Sequence, residues 1–401
     1  MNDSIKIGLK RQHNRNVSKF ITSIKMLLYT LFIWGCLTGL QINALAEETF
    51  SLEEIQAIDT SEARGWHSFE HNGETFLALA NRKGNSAIYR WDGGQFKVFQ
   101  EIPTTEAEDW ESFQIDGDVY LAVANTRKKP THLVDSVIYK VTGSNLQEVQ
   151  RIRTSGARDW ESFIINRKLY LAVANERNDA TRNVASMIYK WNGKSFEAIQ
   201  AILTHGARDW KSFVINRETF LVVANQDNDV SRNIDSVIYK WDGKSFIEFQ
   251  RIPTYGARDW ESFQIDETIY LVVANNQERS DSTVEKKSRK VNSTIYKWDG
   301  KSFIEFQNIQ TNGAHDWENF VIDGQNYLIV ANNIEETSRT TDSVIYKWNG
   351  KQFMKVYALS TQGARDIESF KVGGKTYIAV ANDDKDYPEN ILSRIYQIRV
   401  Q

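Results

Sequence analysis

The sequence predicts an all-β fold, a seven-bladed β-propeller of four-stranded antiparallel blades closed by its own N-terminal strand. Three observations carry this. A motif recurs seven times, each copy holds four short strand-like runs, and a spare strand at one end matches a strand missing at the other. The motif GARDWESF places tryptophan at Trp66, Trp110, Trp160, Trp210, Trp260 and Trp317, with Ile367 in the seventh place, at spacings of 44, 50, 50, 50, 57 and 50 residues. Within a copy the runs are exemplified by DWKSFVI (209–215), FLVVAN (220–225), SVIYKW (236–241) and FIEFQRI (246–252), rich in β-branched and aromatic residues and too short for helical periodicity.

The third and fourth runs are joined through Asp92-Gly93, Asn192-Gly193, Asp242-Gly243, Asp299-Gly300 and Asn349-Gly350, dipeptides that favour type I′ hairpin turns. A meander with both faces apolar cannot cover itself and must stack on copies of itself, which radial closure achieves. The seventh copy ends after its third run. FSLEEIQAIDT (50–60) is an orphan fourth run that matches FEAIQAILT (196–204) through Ile55, Gln56, Ile58 and Thr60, so the N-terminal strand is expected to close the ring.

Ahead of the repeats, Lys6, Lys10, Arg11, Arg15, Lys19 and Lys25 precede the apolar run MLLYTLFIWGCLTGLQI and the small-x-small Ala44-Leu45-Ala46. Residues 1–46 read as a signal peptide, leaving 47–401 as one propeller domain that is secreted, periplasmic or held at the cell surface. An uncleaved anchor and lipidation of Cys36 are the alternatives. Cys36 is the only cysteine, so the exported part has no disulfide and no thiolate chemistry. It keeps 43 of the 49 bases and 51 of the 52 acids, a net charge of -8, which argues against nucleic acid and against charge-driven membrane binding. No membrane contact is expected beyond an N-terminal anchor.

The motifs A-[RH]-D-W-[EK]-S-F, Y-L-[AV]-V-A-N and S-x-I-Y-K-W resemble the epilepsy-associated repeat, also called the EPTP repeat, over about residues 50–401. That family includes secreted leucine-rich glioma-inactivated proteins and ectodomains linked to hearing. The resemblance implies a seven-bladed propeller that binds extracellular proteins rather than catalysing a reaction. No leucine-rich or laminin-like domain precedes the repeats here, so a neuronal or auditory role does not carry over.

The junctions between second and third strands and the junctions between blades fall at the same end of the strands, the expected binding face. Five of the second-to-third loops are read as ten residues, among them TRKKPTHLVD (126–135) and QDNDVSRNID (226–235), and the fifth copy extends its loop to NQERSDSTVEKKSRKVN (276–292). Candidate ligand-binding residues on these loops are the arginine of the Arg279-Ser280 step, Glu285, Lys286, Lys287, Arg289, Lys290, Asp229 and Arg232. The alternative is that the loops are solvated connections. Asp109, Asp159, Asp209, Asp259, Asp316 and Asp366 recur at the start of the innermost strand and are the candidate ligands for a Ca²⁺ ion at the channel mouth, with waters completing its shell. A structural role in interblade bonds is the competing reading.

The tryptophans read as packing in the wedges between blades rather than as sugar platforms. Asn81, Asn125, Asn175, Asn225, Asn275, Asn332 and Asn382, which end the second runs, read as backbone-bonding residues. No H-E-x-x-H, G-x-S-x-G or Walker sequence is present. Departures from the consensus are few: His67, Glu108, Lys211, His315 and Ile367, each explicable as drift. The expected function is therefore a non-catalytic exported recognition or adhesion module with an extracellular or cell-surface protein or glycan partner. A polysaccharide hydrolase or lyase on the same scaffold is the alternative.

Overall fold

The computed structural model describes residues 49–278, 288–335, 337–383 and 391–400. Residues 1–46, read above as a signal peptide, lie outside them with Cys36. The chain forms seven four-stranded antiparallel sheets, and six of them are simple meanders. The seventh is ordered β1-β28-β27-β26, with β1 (Phe50–Asp59) on β28 (Leu392–Val400), next to β27 (Lys375–Asn382) and β26 (Ala364–Val372). The register runs from Phe50 opposite Val400 to Asp59 opposite Leu392, so the first strand latches the last blade as the sequence implied.

Blades 1 to 7 are named by their innermost strands: β2 (Ala63–His71), β6 (Ala107–Ile115), β10 (Ala157–Ile165), β14 (Ala207–Ile215), β18 (Ala257–Ile265), β22 (Ala314–Ile322) and β26. Each packs against the next and β26 returns to β2, which closes the ring around an axial channel. The core lies between sheets. Trp210, for example, is buried among Phe163, Ala172 and Ala174 of blade 3 and Leu221 and Val223 of its own blade. The same wedge holds Trp110 and Trp260, and Ile367 fills it in blade 7. Truncating one such indole to alanine costs about 3–5 kcal/mol in a packed core.

The second-strand asparagines act as expected on the backbone. Asn225 accepts from the His205 N–H at 2.9 Å and donates to the Asp235 carbonyl at 3.0 Å, fastening the end of its strand to the last residue of the preceding blade's fourth strand and to the third strand of its own blade.

Two local expectations fail. The Asp-Gly and Asn-Gly turns between third and fourth strands are not type I′, because their Asp or Asn keeps a negative φ and only the glycine, such as Gly243 at +103°, is left-handed. These are four-residue connections in which Asp242 accepts from the N–H groups of Lys244 and Ser245, both at 2.8 Å, so the carboxylate rather than the backbone geometry fixes the bend. Two-residue loops with both residues left-handed occur instead between first and second strands, as at Asn166-Arg167 and Asn216-Arg217. Secondly, the ten-residue loops are shorter than read. The third strand of blade 4, Asn233–Trp241, begins before its apolar run and pairs Asn233 with Tyr255, leaving 226–232 as the connection. Backbone pairing extends a strand through polar residues that hydrophobic patterning assigns to a loop.

Candidate functional site at the channel mouth

All seven innermost strands start with alanine followed by an early register shift, as between Ala157 and Asp159 or between Ala207 and Trp210. Such a bulge breaks side-chain alternation and re-aims its residues. Its consequence here is two consecutive axial residues per blade, followed by a third two positions on. The channel therefore carries three charged tiers.

The outermost tier surrounds a cavity of about 90 Å³ lined by one residue from each blade: Arg64, Glu108, Arg158, Arg208, Arg258, His315 and Arg365. This is the end at which the second-to-third loops begin. Glu176, the first residue of the blade 3 loop, ion-pairs with Arg158 and with Arg208, the latter at 3.0 Å. Asp383, which opens the blade 7 loop, takes Arg64 at 2.6 Å and Arg365 at 2.8 Å. Glu108 pairs with Arg158 and lies 3.8 Å from Arg64. Burial pushes the Glu108 carboxyl up, but Arg158 and Arg64 outweigh it and hold the pKa at about 2.

The second tier consists of the aspartates proposed as cation ligands. Asp159, Asp209 and Asp259 accept from the backbone N–H of Trp210, Trp260 and Trp317 in the next blade, each at 2.9 Å. Asp316 accepts from Ile367 at 2.9 Å, and Asp366 from Trp66 across the closing seam at 2.7 Å. Gly65 takes the place of aspartate in blade 1, and a Cβ there would stand 3.1 Å from Asp109 Oδ1. Burial and then the neighbouring carboxylates raise the pKa of Asp109 and Asp159 well above the usual range. Among the described residues, no three His, Cys, Asp or Glu side chains converge closely enough to hold a metal on their own.

The third tier holds Glu111, Glu161, Glu261, Glu318 and Glu368, interrupted by His67 and Lys211. Glu111, Glu161, Glu318 and Glu368 accept from the N–H of Ser162, Ser212, Ser369 and Ser68 in the next blade, at 3.0, 2.8, 3.1 and 2.8 Å. His67 fills the same slot by accepting from the Ser112 N–H through Nε2 at 3.1 Å. Its ring must be unprotonated there to do so. Burial and then Lys211 lower its pKa to about 4. Lys211 places its ammonium 2.6 Å from Glu261; burial disfavours its charge, but Glu261 and Glu161 more than restore it.

Three of the departures from consensus have distinct contacts of their own. Glu108 sets an anion among arginines, Lys211 sets a cation among glutamates, and His67 keeps the acceptor that the slot requires. Opposite sign at a repeat position was the signal available in the sequence.

The loop candidates have frame contacts. Asp229 accepts from Thr181 Oγ1 at 2.6 Å and from the Arg182 N–H at 2.9 Å in the preceding blade. Arg232 bonds Asp227 at 3.2 Å and reaches Gln277 of the next blade at 2.8 Å. Arg289 donates to Asn276, and Lys290 pairs with Glu335 of the next blade at 3.0 Å. Arg279, Ser280, Glu285, Lys286 and Lys287 lie outside the described residues.

The EPTP domain model matches residues 51–92, 95–140, 146–192, 195–242, 245–299, 302–349 and 352–398, one match for each repeat. The chain belongs to the EPTP family. A human thrombospondin-type laminin G domain and EAR repeat-containing protein is 42% identical over 45 residues, 11% of this chain and 7% of that relative. Among solved structures, Sqt1 from Saccharomyces cerevisiae superposes with a TM-score of 0.54 at 10% identity, covering 86% of this chain and 99% of the other, a likeness of fold alone. An EPTP propeller is a protein-binding type of module. Among the described residues no helix is long and apolar enough to cross a membrane.

Proposed function

We propose that this EPTP propeller is an exported recognition or adhesion module that binds a protein or glycan partner on the mouth-side face. One observation carries the reading. The inner-strand starts and the second-to-third loops meet at this face, and here the seven otherwise regular blades diverge in length and charge, from four residues between strands in blade 1 (82–85) to fourteen in blade 5 (276–289). A regular frame presenting unequal loops is how a symmetric fold acquires one specific partner. Asp229, Arg232, Arg289 and Lys290 support that face by tying the described parts of neighbouring loops together.

The test is retention of a partner from the cell-surface fraction. Replacing 279–287 with a short Gly-Ser bridge should lower retention several-fold, whereas Ile164→Ser, an exposed change at the opposite end of β10, should leave it unchanged. The reverse pattern would assign recognition to the other face.

We extend the proposal to a hydrated Ca²⁺ held by the second-tier aspartates. Its support is the crowding of carboxylates from adjacent blades, which a hard cation relieves through oxygen ligands and water. Calcium titration of chelated protein should release heat and raise Tm; a titration with no heat and an unchanged Tm would contradict the ion.

A further inference from the structure

The arginines of the mouth are not equally compensated. The position that opens each second-to-third loop, eighteen residues after the arginine of its blade, decides the matter. Glu176 serves Arg158 there, and Asp383 serves Arg365. Gln226 serves Arg208 as a neutral acceptor at 2.6 Å. In blade 5 the position is Asn276, whose amide is turned away to the Gly313 and Ala314 carbonyls at 2.9 and 3.1 Å and whose oxygen is taken by Arg289. Blade 6 repeats this with Asn333 on Gly363 and Ala364.

Arg258 is left over. Its guanidinium lines the central cavity, its Nε is buried without an acceptor, and no side chain or carbonyl of the described residues bonds it. The charges that act on it most are Arg208, Arg232, Arg365 and Arg289, all cationic. Gln226 also leaves a buried Nε2 donor unpartnered in this sector. A buried donor without a partner is costly, more so when charged, unless something outside the chain satisfies it. Both unsatisfied groups are donors, and the field at Arg258 is positive.

We infer that the sector of the mouth formed by Arg208, Arg258, His315 and Arg365 is a binding site for a single small oxyanion, a sulfate or phosphate group. Guanidinium forks match such oxygens in pairs, which an ammonium does not. The 90 Å³ cavity admits one tetrahedral group and falls far below the roughly 300–1,000 Å³ of a site for a drug-sized molecule. The ion is held by the whole folded ring, because the residues come from four blades. It enters either free or as the head of a monoester carried by a partner. The second source rests on the recognition role proposed above; the site itself does not.

The test uses the propeller and its Arg258→Gln variant, with inorganic sulfate, inorganic phosphate and O-phosphotyrosine titrated calorimetrically against chloride at matched ionic strength. Binding to the parent protein with a Kd weakened at least tenfold in R258Q supports the site. Binding of the ester as well as the ions marks a head group accepted with its substituent outside; binding of the ions alone marks a resident ion. R258Q removes repulsion among arginines, so its Tm in chloride should equal or exceed that of the parent, which separates loss of the site from loss of the fold. Equal affinity in both proteins, or no binding to either, overturns the inference. Loss of oxyanion binding in R258Q with partner retention intact would leave the site standing and detach it from recognition.

Discussion

The mouth tier and the third tier of the channel are built from the same strands, three residues apart in every blade, yet they behave oppositely. In the third tier nearly every carboxylate is bound to the backbone of the next blade, so the ring of glutamates is a seam. In the mouth, cations are matched to loop acids unevenly: Asp383 is shared by two arginines while Arg258 has none. What recurs with identical contacts is frame. What recurs with unequal contacts is available for a ligand.

The largest effect that would break this contrast is at Lys211. Lys211→Glu restores the repeat consensus but removes the one cation from the glutamate tier and adds a sixth like charge. It should destabilise by about 3–5 kcal/mol at pH 8, as removing one partner of a buried pair does. Denaturant melts showing no loss would mean that the tier is solvated enough to ignore its charges.

His67 sharpens the contrast through pH. Its native pKa of about 4 lies below the unfolded value near 6.5, so the unfolded chain binds the extra proton between these values. Its contribution is present above pH 6.5 and is lost as pH falls towards 4, by up to about 3 kcal/mol. His67→Gln keeps an acceptor for the Ser112 N–H and does not titrate. The stability difference between parent and variant should be flat above pH 7 and fall across pH 6.5–4; a flat difference throughout would show that the histidine takes up its proton as readily in the fold as in the unfolded chain.

In the mouth, Glu108→Gln should cost about 2 kcal/mol by leaving Arg158 and Arg64 with one acid fewer, measured by the shift in denaturant midpoint. The smallest effect belongs to Ile164→Ser, which at 65% exposure should change stability by no more than about 0.5 kcal/mol.

The ring, its seven blades and the closing strand were all legible in the sequence because hydrophobic runs and a fixed period report them directly. Turn type was not: Asp242-Gly243 has the composition of a two-residue hairpin, but loop length is set by where Trp241 and Phe246 pair. The aspartates were read as lying near the axis, but their acceptance of N–H groups from the next blade depends on interblade register, which no single repeat encodes. Asn276 was visible as an amide where Glu176 and Asp383 are acids. Only the bulged inner strand shows that this position faces the arginine eighteen residues before it, and hence that Arg258 is uncompensated.

The most direct test crosses the two tiers, measuring thermal stability and sulfate affinity together for Arg258→Gln and Lys211→Met. If the mouth is a site and the third tier a seam, R258Q keeps its Tm and loses sulfate, while K211M loses Tm and, below its melting range, binds sulfate as the parent does. Stability and affinity moving together in both variants would contradict the division of the channel into frame and site.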